Sequence, residues 1–170
     1  MAPSIARATF TSAFLASCAL VLGASTHLSA SGRAQSEVDW SAVEQALGTS
    51  GSMMPGNVFR VAMPRSDLNV TVEGVPVKAN FALGSYAAFR PTDDGSGAVM
   101  VMGDLVLKDE EVPPVMSGLF DNGLQVTALH NHALRDQPRL FYMHFWADDP
   151  MKLASGLRAA LDKINVAPPA

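Results

Sequence analysis

Between Val58 and Leu107 the chain offers one strand-length run after another, separated by turn residues, and this series most restricts what it can fold into. Val58-Phe59-Arg60-Val61-Ala62-Met63 stops at Pro64. Asn69–Val72 and Val75–Lys78 flank Glu73-Gly74, a dipeptide of the kind that closes a tight hairpin. Phe81–Phe89 and Ala98–Leu107 read as two further strands, with Pro91–Gly97 as the loop between them. Glycines at Gly84-Ser85 and Gly103-Asp104 fall inside strand signals, where they mark a bulge or the close approach of another group.

The flanking segments have a helical rhythm. Val38–Leu47 places Trp40, Val43 and Leu47 on one face, and Gly48–Gly56 follows as a flexible connector. Asp109–Asn122 is expected as a helix, with acidic residues at its positive end and Pro113 and Pro114 confined to its first turn. Leu124–Leu134 and Arg139–Ala147 read as two strands joined by the turn Arg135–Pro138. Asp148 or Asp149 then caps a last helix over Pro150–Ile164. The order predicts an α+β fold: a mainly antiparallel sheet of about six strands with helices on one face.

The first 34 residues differ from the rest. They hold no Asp or Glu, and Thr11–Ala24 is apolar or small throughout. That is the layout of a secretory signal peptide, and the run is shorter than the roughly 20 residues a membrane span needs. The expected organisation is a leader over 1–34, an N-terminal helix and connector over 35–57, one α+β domain over 58–165 and a disordered tail over 166–170. Leu15-Ala16-Ser17-Cys18 also has the residue types of a lipoprotein processing site, although the apolar residues after Cys18 do not resemble a polar tether. The expected location is periplasmic or secreted, with a lipid anchor at Cys18 as the one route to a membrane. Without the leader's Arg7 and Arg33, 10 basic residues face 16 acidic ones, a net −6, and nothing favours nucleic acid.

Chemistry concentrates in one place. The histidines after the leader are His130, His132 and His144, all within fifteen residues and on otherwise apolar strands. Strand side chains alternate between faces, so His130 and His132 share a face, as do Tyr142 and His144. A hairpin centred near Gln137 would set His130 opposite His144 and His132 opposite Tyr142, close enough for three imidazoles to share one divalent ion. Imidazole ligands suit zinc, copper, iron and nickel. His130, His132 and His144 are therefore the expected metal ligands, with Tyr142 and Asp104 lining a pocket for a small polar ligand. A hydrogen-bonded polar pocket without metal is the competing reading of the same cluster.

Other signals are weaker. Met100 and Met102 share a strand face, and thioethers select Cu(I), but methionine ordinarily fills gaps in a core. Arg65 and Asp67 have the residue types of a polar pair near a site, but a solvated turn is the ordinary reading of Pro64–Asp67. Ser85, His132 and Asp104 have the residue types of a triad, without the Gly-x-Ser-x-Gly elbow.

The segments Phe81–Phe89, Val101–Leu107 and Val126-Thr127-Ala128-Leu129-His130-Asn131-His132, then Met143-His144 and the helix around Leu157–Leu161, resemble the LppY/LpqO family of exported bacterial proteins. The resemblance spans roughly Val38 to Ile164, and Thr127–His132 is its most distinctive part. Members often carry two copies of a domain of unknown function. This chain carries one, which the resemblance makes either a minimal member or a partner in a homodimer. Some members are lipoproteins. The resemblance supplies no activity and no catalytic residue.

Three functions compete at this point. The first is an exported binding domain with a histidine-lined pocket for a divalent metal or small polar ligand. The second is a metal-dependent hydrolase using the same histidines, with Asp104 or Glu111 as base. The third is a non-catalytic envelope protein that serves structure or binds a partner.

Overall fold

The structure is a computed structural model and describes residues 38–164. The expected leader, Cys18 and the tail lie outside the described residues. Helix α1 (Trp40–Leu47) opens the domain, capped by the Asp39 carboxylate, which accepts from Ser41 N and Ala42 N. Strand β1 (Gly51–Met54) follows where a connector was expected. Its pairing with β2 (Val58–Pro64) fixes it, Gly51 lying against the Phe59 ring where a Cβ would not fit.

Strands β3 (Val70–Val72) and β4 (Val75–Val77) form the expected hairpin, with Glu73 and Gly74 both at positive φ. Phe81 is not in a strand as expected. It belongs to a short helix, α2 (Ala79–Ala82), and β5 (Gly84–Pro91) begins after it. The long strand β6 (Val99–Lys108) runs into a 3-10 turn over Asp109–Glu111 and then α3 (Val112–Asp121), whose prolines occupy the first turn as predicted. Strand β7 (Gln125–His130), the two-residue β8 (Asp136–Gln137), β9 (Leu140–Ala147) and helix α4 (Pro150–Leu161) complete the chain.

The fold is α+β. Six strands form an antiparallel sheet in the order β1-β2-β5-β6-β9-β7, and β4-β3-β8 form a small second sheet. One face of the large sheet carries Phe59, Phe89, Val101, Leu105, Met143 and Phe145, which pack on Val43, Leu47, Val115, Leu119, Leu153 and Leu157 from α1, α3 and α4. Gly103 belongs to this packing, because a Cβ there would collide with the Phe145 ring and the Tyr86 carbonyl. Of the two glycines expected to mark a bulge or a close approach, Gly103 marks a close approach, whereas Gly84 meets nothing where a Cβ would stand.

The other face is covered at one end only. Val106, Leu140 and Tyr142 pack against Leu83, Val70, Leu68 and Val77 in a smaller cluster beneath the second sheet. Beyond that cover, alternate residues of the central strands stand open. Where the small sheet stops, the polar residues begin.

Candidate functional site

Asp104 and His144 are directly opposite one another on β6 and β9, one step beyond the apolar pair Val106 and Tyr142. On the far side of β9, His130 of the edge strand β7 pairs with Tyr142, and His144 pairs with Ala128. The expected register, with His130 opposite His144, is therefore wrong by two residues. The cause is visible in the connection. The chain between the strands is not a tight turn but a loop that sends β8 across to pair with β3. A bulge at Thr127 adds a further irregularity. A shift of two preserves the face on which each side chain lies, because strand side chains repeat every two residues. The five residues singled out from the sequence accordingly remain together on one side of the sheet.

Their contacts are short. His130 Nε2 and His144 Nε2 lie 2.8 Å apart, one donating to the other. His132, just past the end of β7, stacks on Tyr142 with ring centroids 3.4 Å apart, and its ring centroid is 5.0 Å from that of His130. Tyr142 donates its hydroxyl to Ala82 O at 2.9 Å, which ties this ring to α2. His144 Nδ1 faces Asp104 Oδ1 at 3.8 Å, within ion-pair range but too far for a hydrogen bond.

Asp104 is the anomaly of this cluster. It is only 8% exposed, and its Oδ1 has no hydrogen-bond donor, a condition that Asp136 Oδ1 shares away from the cluster at β8. A buried carboxylate oxygen left unpaired costs stability. Burial pushes the Asp104 carboxyl above its ordinary pKa, against the pull of His144, His132 and His130. Burial likewise lowers His132, with His130 beside it adding to the effect, which favours the neutral imidazole that ligates metals.

A cleft of about 530 Å³ opens against this cluster. Asp104, His132, Tyr142, Ser85 and Asn80 supply its polar lining, with Ala62, Pro64, Ala79 and Gly84 among its apolar walls. Phe81, 85% exposed, stands at its edge. Ser85 does share the cleft with His132 and Asp104, but its hydroxyl accepts from Val106 N at 2.9 Å, and the histidine beside Asp104 is His144.

Two other sequence candidates lie elsewhere. Glu111 is 6% exposed and engaged by Arg65, and it also accepts from Lys108 N, so it is no free base. Arg65 is not on a solvated turn. It is 2% exposed, and its guanidinium donates to Val106 O, both oxygens of Glu111 and both oxygens of Asp67. The Arg65–Asp67 pair was open to the sequence as a polar pair, but its link to Glu111 gave no sign, because Arg65 and Glu111 are 46 positions apart.

Among the described residues, no three His, Cys, Asp or Glu side chains are already disposed around a metal position. The chemistry of the set is nonetheless specific. A carboxylate beside Nδ1 of His144 favours the tautomer that leaves Nε2 free as a ligand. That Nε2 points at the Nε2 of a second histidine. Two nitrogens bound to one tetrahedral zinc at about 2.0–2.1 Å are roughly 3.3 Å apart, so the pair would need to part by about half an ångström.

The family model described as a Domain of Unknown Function (DUF1259) matches residues 41–163, and the chain belongs to that family. No curated protein and no solved structure matches it.

Proposed function

We propose that this member of the DUF1259 family is an exported binding domain that holds a transition-metal ion on His130, His132 and His144, beside a cleft for a small polar ligand. The observation that carries the reading is the unpaired, buried Oδ1 of Asp104 next to His144 Nδ1, with the other nitrogen of that ring meeting His130. A buried anion beside a histidine pair has a ready explanation if a cation completes the cluster. Export is supported by the apolar, acid-free leader and by the likeness of Thr127–His132 and its surroundings to LppY/LpqO proteins, with a lipid on Cys18 as the form an anchor would take.

A second reading is favoured by the cleft. An ion on the three histidines would face a space large enough for a small substrate, and a metal-bound water there would give a hydrolase, with Asp104 as the neighbouring carboxylate.

The deciding experiment is metal analysis of the purified protein after incubation with Zn²⁺, Co²⁺, Ni²⁺ and Cu²⁺. One ion per chain is expected, lost in His130→Ala and His144→Ala variants that still fold by circular dichroism. If the wild type takes up none of these ions above background, both readings fail. If the loaded protein binds its ion but hydrolyses no ester or phosphate on a chromogenic panel, the binding reading gains over the hydrolase.

A further inference from the structure

The open face of the large sheet is not uniform. On β2 and β5 it presents Arg60, Tyr86 and Arg90, with the Arg60 guanidinium over the Tyr86 ring at 4.4 Å. Such residues are ordinary on the solvent side of an antiparallel sheet. On β6 the same face presents Met100 and Met102, 49% and 55% exposed. The expectation that these methionines fill core gaps is therefore wrong. They leave their sulfurs at the surface in the row that continues into Asp104.

Across the β6–β9 ladder Met102 is opposite Trp146, and Asp104 is opposite His144. Met102 and His144 are thus diagonal neighbours on one face. Diagonal positions of this kind are within reach of long side chains. A thioether, an imidazole and an indole thus occupy neighbouring ladder positions on one face, at the edge of the histidine cluster. Thioether sulfur is a poor ligand for zinc and a good one for Cu(I), and an indole face attracts a cation.

We infer that the site takes a soft monovalent ion, Cu(I), with Met102 and His144 as ligands and Trp146 against the ion. The inference rests on reading the histidine cluster as a metal site, and it names the class of metal. The argument is one of hardness. Three histidines alone do not discriminate among zinc, nickel and copper, whereas added thioethers favour Cu(I) and leave divalent ions almost indifferent.

The test compares two probes on the full chain: Ag⁺, a redox-inert stand-in for Cu(I), and Co²⁺. The double variant Met100→Leu/Met102→Leu conserves volume at exposed positions, so it keeps the fold. It is expected to weaken Ag⁺ and anaerobic Cu(I) binding at least about tenfold in chelator competition, with Co²⁺ affinity changed less than about twofold. His144→Ala should weaken both. Ag⁺ should quench the emission of Trp146, and Trp146→Phe should abolish that change. The other tryptophan, Trp40, is stacked on Phe59 at 4.7 Å on the helix side.

If Co²⁺ binds through the histidines while the double variant holds Cu(I) as the wild type does, the inference falls and the metal-binding proposal stands. If neither ion binds the wild type, both fall. Methionine-dependent Ag⁺ binding that survives His144→Ala also overturns the inference, because the ion then sits away from the histidines. Binding of Ag⁺ that needs both Met102 and His144, without any uptake of Co²⁺, supports Cu(I) and removes the divalent reading.

Discussion

Two buried carboxylates lie at β6, one in the strand and one just beyond its end, and they are treated in opposite ways. Glu111 receives two guanidinium bonds from Arg65, at 2.8 and 3.0 Å, and a third from Lys108 N. Every guanidinium donor of Arg65 that is described goes to Asp67, Glu111 or Val106 O. Burial works against the Arg65 charge, yet hydrogen bonds to Asp67 and Glu111 hold its pKa above the ordinary value. Asp104 has no such partner at Oδ1, and burial raises its pKa instead. A saturated ion cluster is built to hold the end of β2 to the end of β6. An unsaturated one, open to a cleft and ringed by imidazoles, is suited to receiving something. The difference between structure and function here lies in whether the local hydrogen-bonding capacity is filled, not in the residue types.

The largest effect should come from breaking the saturated cluster. Arg65→Met leaves Glu111 buried without its counter-charge, and removing one partner of a buried pair costs about 3–5 kcal/mol. Urea denaturation of the metal-free protein should show that loss in the midpoint. Metal affinity of the fraction that remains folded should be unchanged, since Arg65 touches none of the histidines in the contacts described. An Arg65→Met protein as stable as the wild type would erase the distinction drawn between the two clusters.

The open cluster should respond in the reverse sense. Asp104→Asn removes a buried charge that has one oxygen without a donor, so the metal-free protein at neutral pH should unfold at a higher temperature than the wild type. The same change removes the carboxylate that orients His144, and losing such a partner weakens metal binding about 10–100-fold. Differential scanning calorimetry and Co²⁺ titration of the one variant measure both. A variant that loses stability and keeps its metal affinity would make Asp104 an ordinary structural residue.

How much of this was legible in the sequence follows from the range of each interaction. The α+β class, the Glu73-Gly74 hairpin and the prolines in the first turn of α3 all depend on local pattern, and each was readable. So was the shared face of His130, His132, His144 and Tyr142, because parity along a strand survives an error of two in register; that Asp104 joins them depends on the β6–β9 pairing, which parity does not supply. The register itself was not readable, since it depends on β8 leaving the hairpin to pair with β3, a contact between Asp136 and Val72 that no local pattern encodes. Arg65–Glu111 was missed for the same reason. The exposure of Met100 and Met102 was hidden because apolar residues on both faces of β6 look alike until the helices are seen to cover only one.

The smallest expected effect, and a finer probe of the saturated cluster, is acid titration. Asp67 sits at its solvent edge, with a side chain 53% exposed. The hydrogen bond from Arg65 is the main cause that lowers its pKa below the ordinary aspartate value, against the effect of burial. The folded protein therefore releases this proton more readily than the unfolded chain. Its stabilisation is complete above about pH 5, where the unfolded carboxyl is almost fully ionised, and fades as pH falls below about 4 and through the lower folded value. Solvent screens a half-exposed pair, so the change should be well below that of Arg65→Met. Denaturation midpoints of wild type and Asp67→Asn between pH 7 and pH 3 should lie apart at neutral pH and converge towards the acid end. Curves that stay parallel would mean that Asp67 contributes nothing as an ion, and that Glu111 alone among the two acids neutralises Arg65.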